Sequence, residues 1–272
     1  MPFFEHDGLQ FHYHETGRGL PFIFQHGLGG NLQQPLGLFS PPPGIRAASF
    51  DFRGHGLTPM GPQAKIGFSC FAEDIMVFLK YLHQEKAVVG GISMGAAVAL
   101  NFALRYPGRL LGLVLIRPAW LDGPMEAEVR AIFKLVATLI RDYGAETGLG
   151  KFLSSQAYRQ LAKTSGSAAQ SFLHYFKYHY IRETVAKFEI LPEDAPCVSR
   201  KEWGKIHVPV LILANQSDPV HPYAYGLQYA SEMPHADFRE ITSKAVSAEQ
   251  HKKDIQLHLE KFFKENFSIC KS

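Results

Sequence analysis

Residues 86–106 read KAVVGGISMGAAVALNFALRY. A short apolar, β-rich run, KAVVGGI, enters Gly91-Ile92-Ser93-Met94-Gly95, and the helix formers of MGAAVALNFALRY follow until Pro107-Gly108 stops them. Strand, glycine-flanked serine and helix in that order put the serine on a sharp turn. The glycines leave room for close backbone approach, and the first N–H groups of the helix point at negative charge developing beside the serine. A serine hydroxyl is a poor nucleophile at neutral pH unless a base takes its proton and an acid orients that base. The blander reading of the same residues is a small-residue turn that packs a helix on a strand. What separates the two is whether the rest of the chain supplies a base and an acid.

Working outward, the neighbouring segments repeat the pattern. PFIFQ (21–25) runs into His26-Gly27-Leu28-Gly29-Gly30, and RAASFDF (46–52) runs into Arg53-Gly54-His55-Gly56. Phe71, Ile75, Phe78, Leu79 and Leu82 recur at helical spacing, and LLGLVLI (110–116) is a further buried strand. Upstream, Asp7-Gly8 between PFFEH and LQFHYHE marks a hairpin. The strands after it are near-continuous apolar runs, which predicts a mostly parallel sheet covered by helices on both faces. From 118 to 205 no such strand occurs. Helical stretches are expected at 125–143, 150–163 and 167–188, the last rich in aromatics (Phe172, Tyr175, Phe176, Tyr178, Tyr180, with His174 and His179). The βα pattern resumes with VPVLILA (208–214), a helix near 223–233, a strand near 237–242 and a final helix over 247–263. The expected organisation is an α/β core of residues 1–117 and 206–272 interrupted by an all-helical insertion, 118–205.

Composition excludes several classes. The chain has 272 residues, 46% hydrophobic and 19% charged, with a net charge of +3 and no run of five Lys or Arg, so nucleic acid is not an expected partner. Cys70, Cys197 and Cys270 are widely spaced and form no C-x-x-C, which suits free thiols in a reducing compartment. No basic segment followed by an apolar stretch opens the chain, and no apolar run approaches 18 residues, so neither a signal peptide nor a membrane span is expected and the location expected is cytoplasmic. Metal-ligand spacings such as H-E-x-x-H are missing, so no metal or cofactor is expected.

Four features in order, the H-G-L-G-G loop, Asp51-Phe52-Arg53-Gly54-His55-Gly56, the G-I-S-M-G elbow and Asn215-Gln216-Ser217-Asp218, resemble the α/β-hydrolase family over nearly the whole chain. The resemblance implies Ser93 as nucleophile, with the backbone N–H groups of Leu28 and Met94 forming an oxyanion hole. It also implies the chain order serine, acid, histidine, and makes the helical insertion 118–205 a cap. Asp218, past the strand VPVLILA, is the expected acid and Asp122 the reserve. The family's usual Gly-His pair after the last strand is missing: Ser243 to Gln250 contains no histidine. His251 is the expected substitute. Ser247-Ala-Glu-Gln250 forms a capping-box pattern that starts a helix at Ala248, and His251 then lines up with Ile255, Leu259 and Phe262 on the inward face. His221, three residues from Asp218, is expected to be poorly placed to face both groups, His258 to be too remote, and His26 and His55 to shape their loops.

The resulting expectation is a serine hydrolase of a carboxylic ester or lactone. Ser93, His251 and Asp218 act in turn, and Trp120 and the cap aromatics, where these are not simply core, line a site for a small apolar or uncharged acyl compound. C–C bond hydrolysis and perhydrolysis belong to the same fold, whereas haloalkane and epoxide hydrolysis use Asp where this chain has Ser93. The missing Gly-His pair also suits a ligand-binding, receptor-like protein with little or no turnover. Oligomeric state is left open.

Overall fold

The computed structural model describes residues 2–178, 181–267 and 269; His179, Tyr180 and Cys270 lie outside them. In chain order the elements are β1 (Phe3–His6), β2 (Leu9–Gly17), β3 (Gly19–Gln25), α1 (Gln33–Leu38), β4 (Gly44–Phe50), α2 (Phe68–Tyr81), β5 (Ala87–Ile92), α3 (Met94–Arg105) and β6 (Leu110–Ile116). Then come α4 (Ala127–Leu153), α5 (Gln156–Thr164), α6 (Gly166–Tyr175), α7 (Ile181–Thr184), α8 (Lys187–Ile190), β7 (Val210–Ala214), α9 (Tyr223–Glu232), β8 (Ala236–Glu240) and α10 (Ala248–Asn266). The strands form one sheet in the order β1-β2-β4-β3-β5-β6-β7-β8, antiparallel at β1/β2 and β2/β4 and parallel from there on.

Both faces of the sheet are covered, which is why its central strands read as unbroken apolar runs. One face packs on α2 and α3 through Phe71, Ile75, Phe78, Val98 and Phe102. The other packs on α10 through Ile255, Leu259, Phe262 and Phe263, which meet Phe22, Val88 and Val114. At the hairpin, Asp7 and Gly8 both take positive φ (53° and 72°), as a tight two-residue turn between twisted strands requires.

Between β6 and β7 the regular elements among the described residues are helices and no strand occurs, as expected, but the helix boundaries differ. The gap expected after 143 is a kink inside α4, where Gly144 takes φ 76° and the helix resumes beyond it. The long helix expected over 167–188 is broken: α6 ends at Tyr175, and the chain re-enters helix only in the short α7 and α8. The aromatics there pack mainly on one another, Phe133 stacking on Tyr175 and Phe188, and Phe152 meeting Phe172 and Phe176.

Candidate active site

β5 delivers Ser93 at the carboxyl edge of the sheet, where sites in open α/β sheets gather. The turn is as tight as the sequence demands. A Cβ on Gly91 would lie 2.2 Å from the Gly95 carbonyl carbon, and one on Gly95 would lie 2.6 Å from the Gln25 oxygen, so neither position admits a side chain. Ser93 itself takes φ 55°, a conformation of a non-glycine residue that the surrounding contacts must hold. Its N–H is fixed by the Ile116 carbonyl at 2.9 Å, and its own carbonyl starts α3 by accepting from Ala96 and Ala97.

The histidine that reaches Ser93 is His221. Its Nε2 lies 2.9 Å from Ser93 Oγ, and its Nδ1 lies 3.0 Å from Asp218 Oδ2. A carboxylate can only accept, so Nδ1 carries the proton and Nε2 is free to accept from the serine hydroxyl. The expectation that a three-residue separation spoils this geometry is corrected by the turn between the two residues. Asp218 Oδ1 accepts from the backbone N–H of Val220 (3.1 Å) and of His221 (3.2 Å), an Asx-type turn, and Ser217 before it takes φ 60°. The chain curls around the carboxylate and carries the ring back over it. The signal was present in Ser217-Asp-Pro-Val-His-Pro222, a turn-forming string ending in a histidine.

His251 does not make the expected contact. Its Nδ1 bonds the Thr242 carbonyl at 2.7 Å and its buried Nε2 has no partner. A carbonyl accepts, so Nδ1 is the donor, and the ring staples the first turn of α10 to the end of β8. The ring faces inward as the stripe of α10 predicts, but it meets Thr242 and not Ser93. α10 begins at Ala248 as expected, and Ser247 Oγ accepts from the Gln250 N–H. The reciprocal half of the capping box is missing, because the Gln250 amide bonds Asp254 instead. Asp122 pairs with Arg200 and does not line the cavity beside Ser93.

Arg117, which sequence reading passed over, completes the group. It takes φ 50° directly after β6, and its guanidinium donates to Asp218 Oδ2 from both Nη2 (2.5 Å) and Nε (3.2 Å). Nη2 also lies 3.0 Å from His221 Nδ1, and three N–H donors, two from Arg117 and one from His221, converge on one carboxylate oxygen. Burial pushes the Asp218 carboxyl up, but His221 and Arg117 outweigh it and hold the group well below the usual carboxylate range. Burial pushes the His221 imidazole down, Asp218 opposes and Arg117 adds to the fall. At neutral pH the pair is therefore a carboxylate and a neutral imidazole.

Around this group lies a cavity of about 230 Å³ lined by Leu28, Ser93, Trp120, Phe133, Tyr175 and Lys244 among others. Its roof is the helical segment, and Trp120 sits in its wall, edge-on to Phe68 at 5.1 Å. Met94 opens α3, so its N–H has no acceptor one turn back inside the helix. The loop carrying Leu28 is fastened from three sides. Gly27 N–H donates to Gln34 Oε1, Leu32 N–H donates to Asp51 Oδ1, and His26 bridges from the Phe52 N–H to the Gly27 carbonyl. His26 is thus a loop fastener held neutral by burial, its imidazole pushed down to about 4. No group of three or more His, Cys, Asp or Glu among the described residues is arranged to hold a metal ion, and no helix among them is long and apolar enough to cross a membrane.

Fold and site together mark a hydrolase of the α/β class. The chain belongs to the α/β-hydrolase fold family, whose description matches residues 21–251. Among related proteins, a 3-oxoadipate enol-lactonase of Acinetobacter baylyi is 25% identical over 83% of this chain and 81% of its own. A 2-hydroxy-6-oxononadienedioate hydrolase of Comamonas testosteroni is 27% identical over 84% of this chain and 82% of its own. Among solved structures, the enol-lactonase of Burkholderia xenovorans superposes with a TM-score of 0.73 at 20% identity, covering 97% of this chain and all of that one, which establishes the shared fold.

Proposed function

We propose that the protein is a serine hydrolase that cleaves a carboxylic ester or lactone of a small acyl compound through an acyl-enzyme. The observation that carries this reading is the continuous chain Ser93 Oγ, His221 Nε2, His221 Nδ1, Asp218 Oδ2, with links of 2.9 and 3.0 Å, within the reach a general base needs. Ser93 Oγ attacks the carbonyl carbon and gives its proton to His221 Nε2. The tetrahedral oxyanion is met by the backbone N–H groups of Leu28 and Met94. His221 returns the proton to the departing alkoxide oxygen, leaving an ester on Ser93. Water then gives a proton to His221, attacks the acyl carbon and releases the acid, and Ser93 regains its proton. Asp218 orients the imidazole and stabilises its cation. A cavity of about 230 Å³, below the ~300 Å³ where sites for larger ligands begin, favours a small substrate.

Labelling with a fluorophosphonate tests the assignment directly. Covalent capture should map to Ser93, vanish in Ser93→Ala, fall steeply in His221→Ala and persist in His251→Ala. Labelling that survives His221→Ala and fails in His251→Ala would return the base to α10. The names of the related lactonase and dienedioate hydrolase also motivate a comparison of ester with C–C bond substrates. Turnover of a vinylogous diketone ahead of esters would move the reaction to carbon–carbon cleavage by the same residues.

A further inference from the structure

The loop after β8 presents a different side chain to the cavity from the one expected there. With the imidazole supplied by the β7 loop, the residue facing Ser93 and His221 from the β8 side is Lys244. It is partly buried, and its ammonium makes no hydrogen bond or ion pair with any described residue. The other formal charges in the wall cancel: Arg117 and Asp218 form an ion pair, and among the described residues Asp218 is the only carboxylate lining the cavity. Lys244 is close enough to feel both of them, and burial, with Arg117 adding and Asp218 opposing, brings its ammonium down to about 8, so it is still mostly charged at pH 7. An ammonium drawn from water with three donors and no acceptor is costly to keep, and a bound anion removes that cost. A neutral ligand filling the cavity would strip away more water and increase it.

We propose that Lys244 is an anion anchor and that the substrate is a small ester or lactone bearing a carboxylate, which pairs with Lys244 while the scissile carbonyl sits at Ser93. This names the substrate class of the reading above and rests on it. It replaces the uncharged substrate expected from the sequence, where Lys244 gave no sign of facing the site.

The test uses matched esters. One pair, 4-nitrophenyl hemisuccinate and 4-nitrophenyl butyrate, places the charge on the acyl side. A second, the butyrate ester of glycolate and ethyl butyrate, places it on the alcohol side. In at least one pair kcat/KM for the anionic member should exceed that for the neutral one. Lys244→Met should lower the ratio of the anionic to the neutral kcat/KM about 10- to 100-fold, the range of one charge-assisted hydrogen bond. Lys244→Arg should retain the preference and Lys244→Glu should reverse it. Equal losses on anionic and neutral esters would make Lys244 a general support of the oxyanion and overturn the proposal, as would no preference in either pair. Succinate titrated into Ser93→Ala protein by calorimetry, with succinamide as the neutral control, separates this failure from that of the hydrolase reading. Succinate binding that disappears on adding Lys244→Met, while the parent protein with Ser93 intact turns over no ester, keeps the anion site and removes the serine hydrolase. Ester turnover by Ser93 without charge preference or succinate binding does the opposite.

Discussion

The loops that follow β7 and β8 leave the sheet side by side and face one cavity, yet they are built differently. The β7 loop is closed on itself. Asp218 accepts from the backbone of Val220 and His221 as well as from the His221 ring and Arg117, so carboxylate and imidazole are held in one turn. The β8 loop is tied to the helix behind it. Thr242 N–H donates to Asp254, its carbonyl accepts from His251, and Ser247 N–H donates to Ser243. What the β8 loop leaves for the cavity is Lys244. Chain order would have divided acid and base between these loops, whereas local turn geometry gathers both into the first and leaves the second to bind.

The sharpest way to break this comparison is to remove one imidazole at a time. His221→Ala should lower kcat for any turned-over ester by about 10⁶-fold, as loss of the base does in a serine hydrolase, with the fold intact by circular dichroism. His251→Ala should change kcat by less than about threefold under conditions where it is folded, because nothing in its hydrogen bonding touches the reacting groups. A large kinetic loss in His251→Ala would mean that the two loops exchange roles in the working enzyme.

The effect of His251 belongs to stability instead. Its ring is buried and satisfies the Thr242 carbonyl, so truncation to Ala should cost about 1–3 kcal/mol in a urea titration. pH adds a signature. Burial, with the Thr242 carbonyl opposing, pushes the His251 imidazole down to about 4 from an ordinary 6.5. Between those values the unfolded chain binds a proton that the folded one excludes, so stability falls as pH drops through 6.5 toward 4 and the contribution levels off below that. His251→Gln keeps a donor for Thr242 and cannot titrate. Its stability should fall less steeply over that window than the parent's, and parallel curves would deny the buried, neutral state of the ring.

How far the sequence could be read divides along the same line. The sheet, its covered faces, the elbow at Ser93 and the helical segment were legible because each rests on a periodicity or a steric demand spread over many residues. The glycines at 91 and 95 have no alternative once strand and helix are set, and the stripe of α10 pointed His251 inward as found. The base was not legible by chain order, because three residues of separation say nothing until the Asx turn at Asp218 folds them together. Arg117 and Lys244 were hidden for a related reason. A single charged residue after a strand reads as a solvated loop, and only the pairing of β6, β7 and β8 carries both to one cavity. The long helix expected over 167–188 failed because its aromatic spacing satisfies a folded-back cluster as well as a straight helix.

Arg117 offers the finest adjustment of the comparison, since it joins β6 to the β7 loop and sits 3.0 Å from the imidazole it does not bond. Two roles are separable. If it only positions Asp218, Arg117→Gln, which keeps a donor for Oδ2, should lower the plateau of kcat/KM without moving its midpoint. If its charge also tunes the base, the midpoint moves. Arg117 adds to the burial that lowers the His221 value, and Asp218 opposes them. Removing the cation frees more of the Asp218 charge for the imidazolium, so the His221 value should rise. Because turnover needs the neutral ring, the acidic limb of kcat/KM in the free enzyme should then shift to higher pH, by about one unit for a charge at this distance. Activity near pH 6 should accordingly fall more than activity near pH 8. An unmoved limb would reduce Arg117 to a clamp, and a shift to lower pH would contradict the charge arrangement around Asp218.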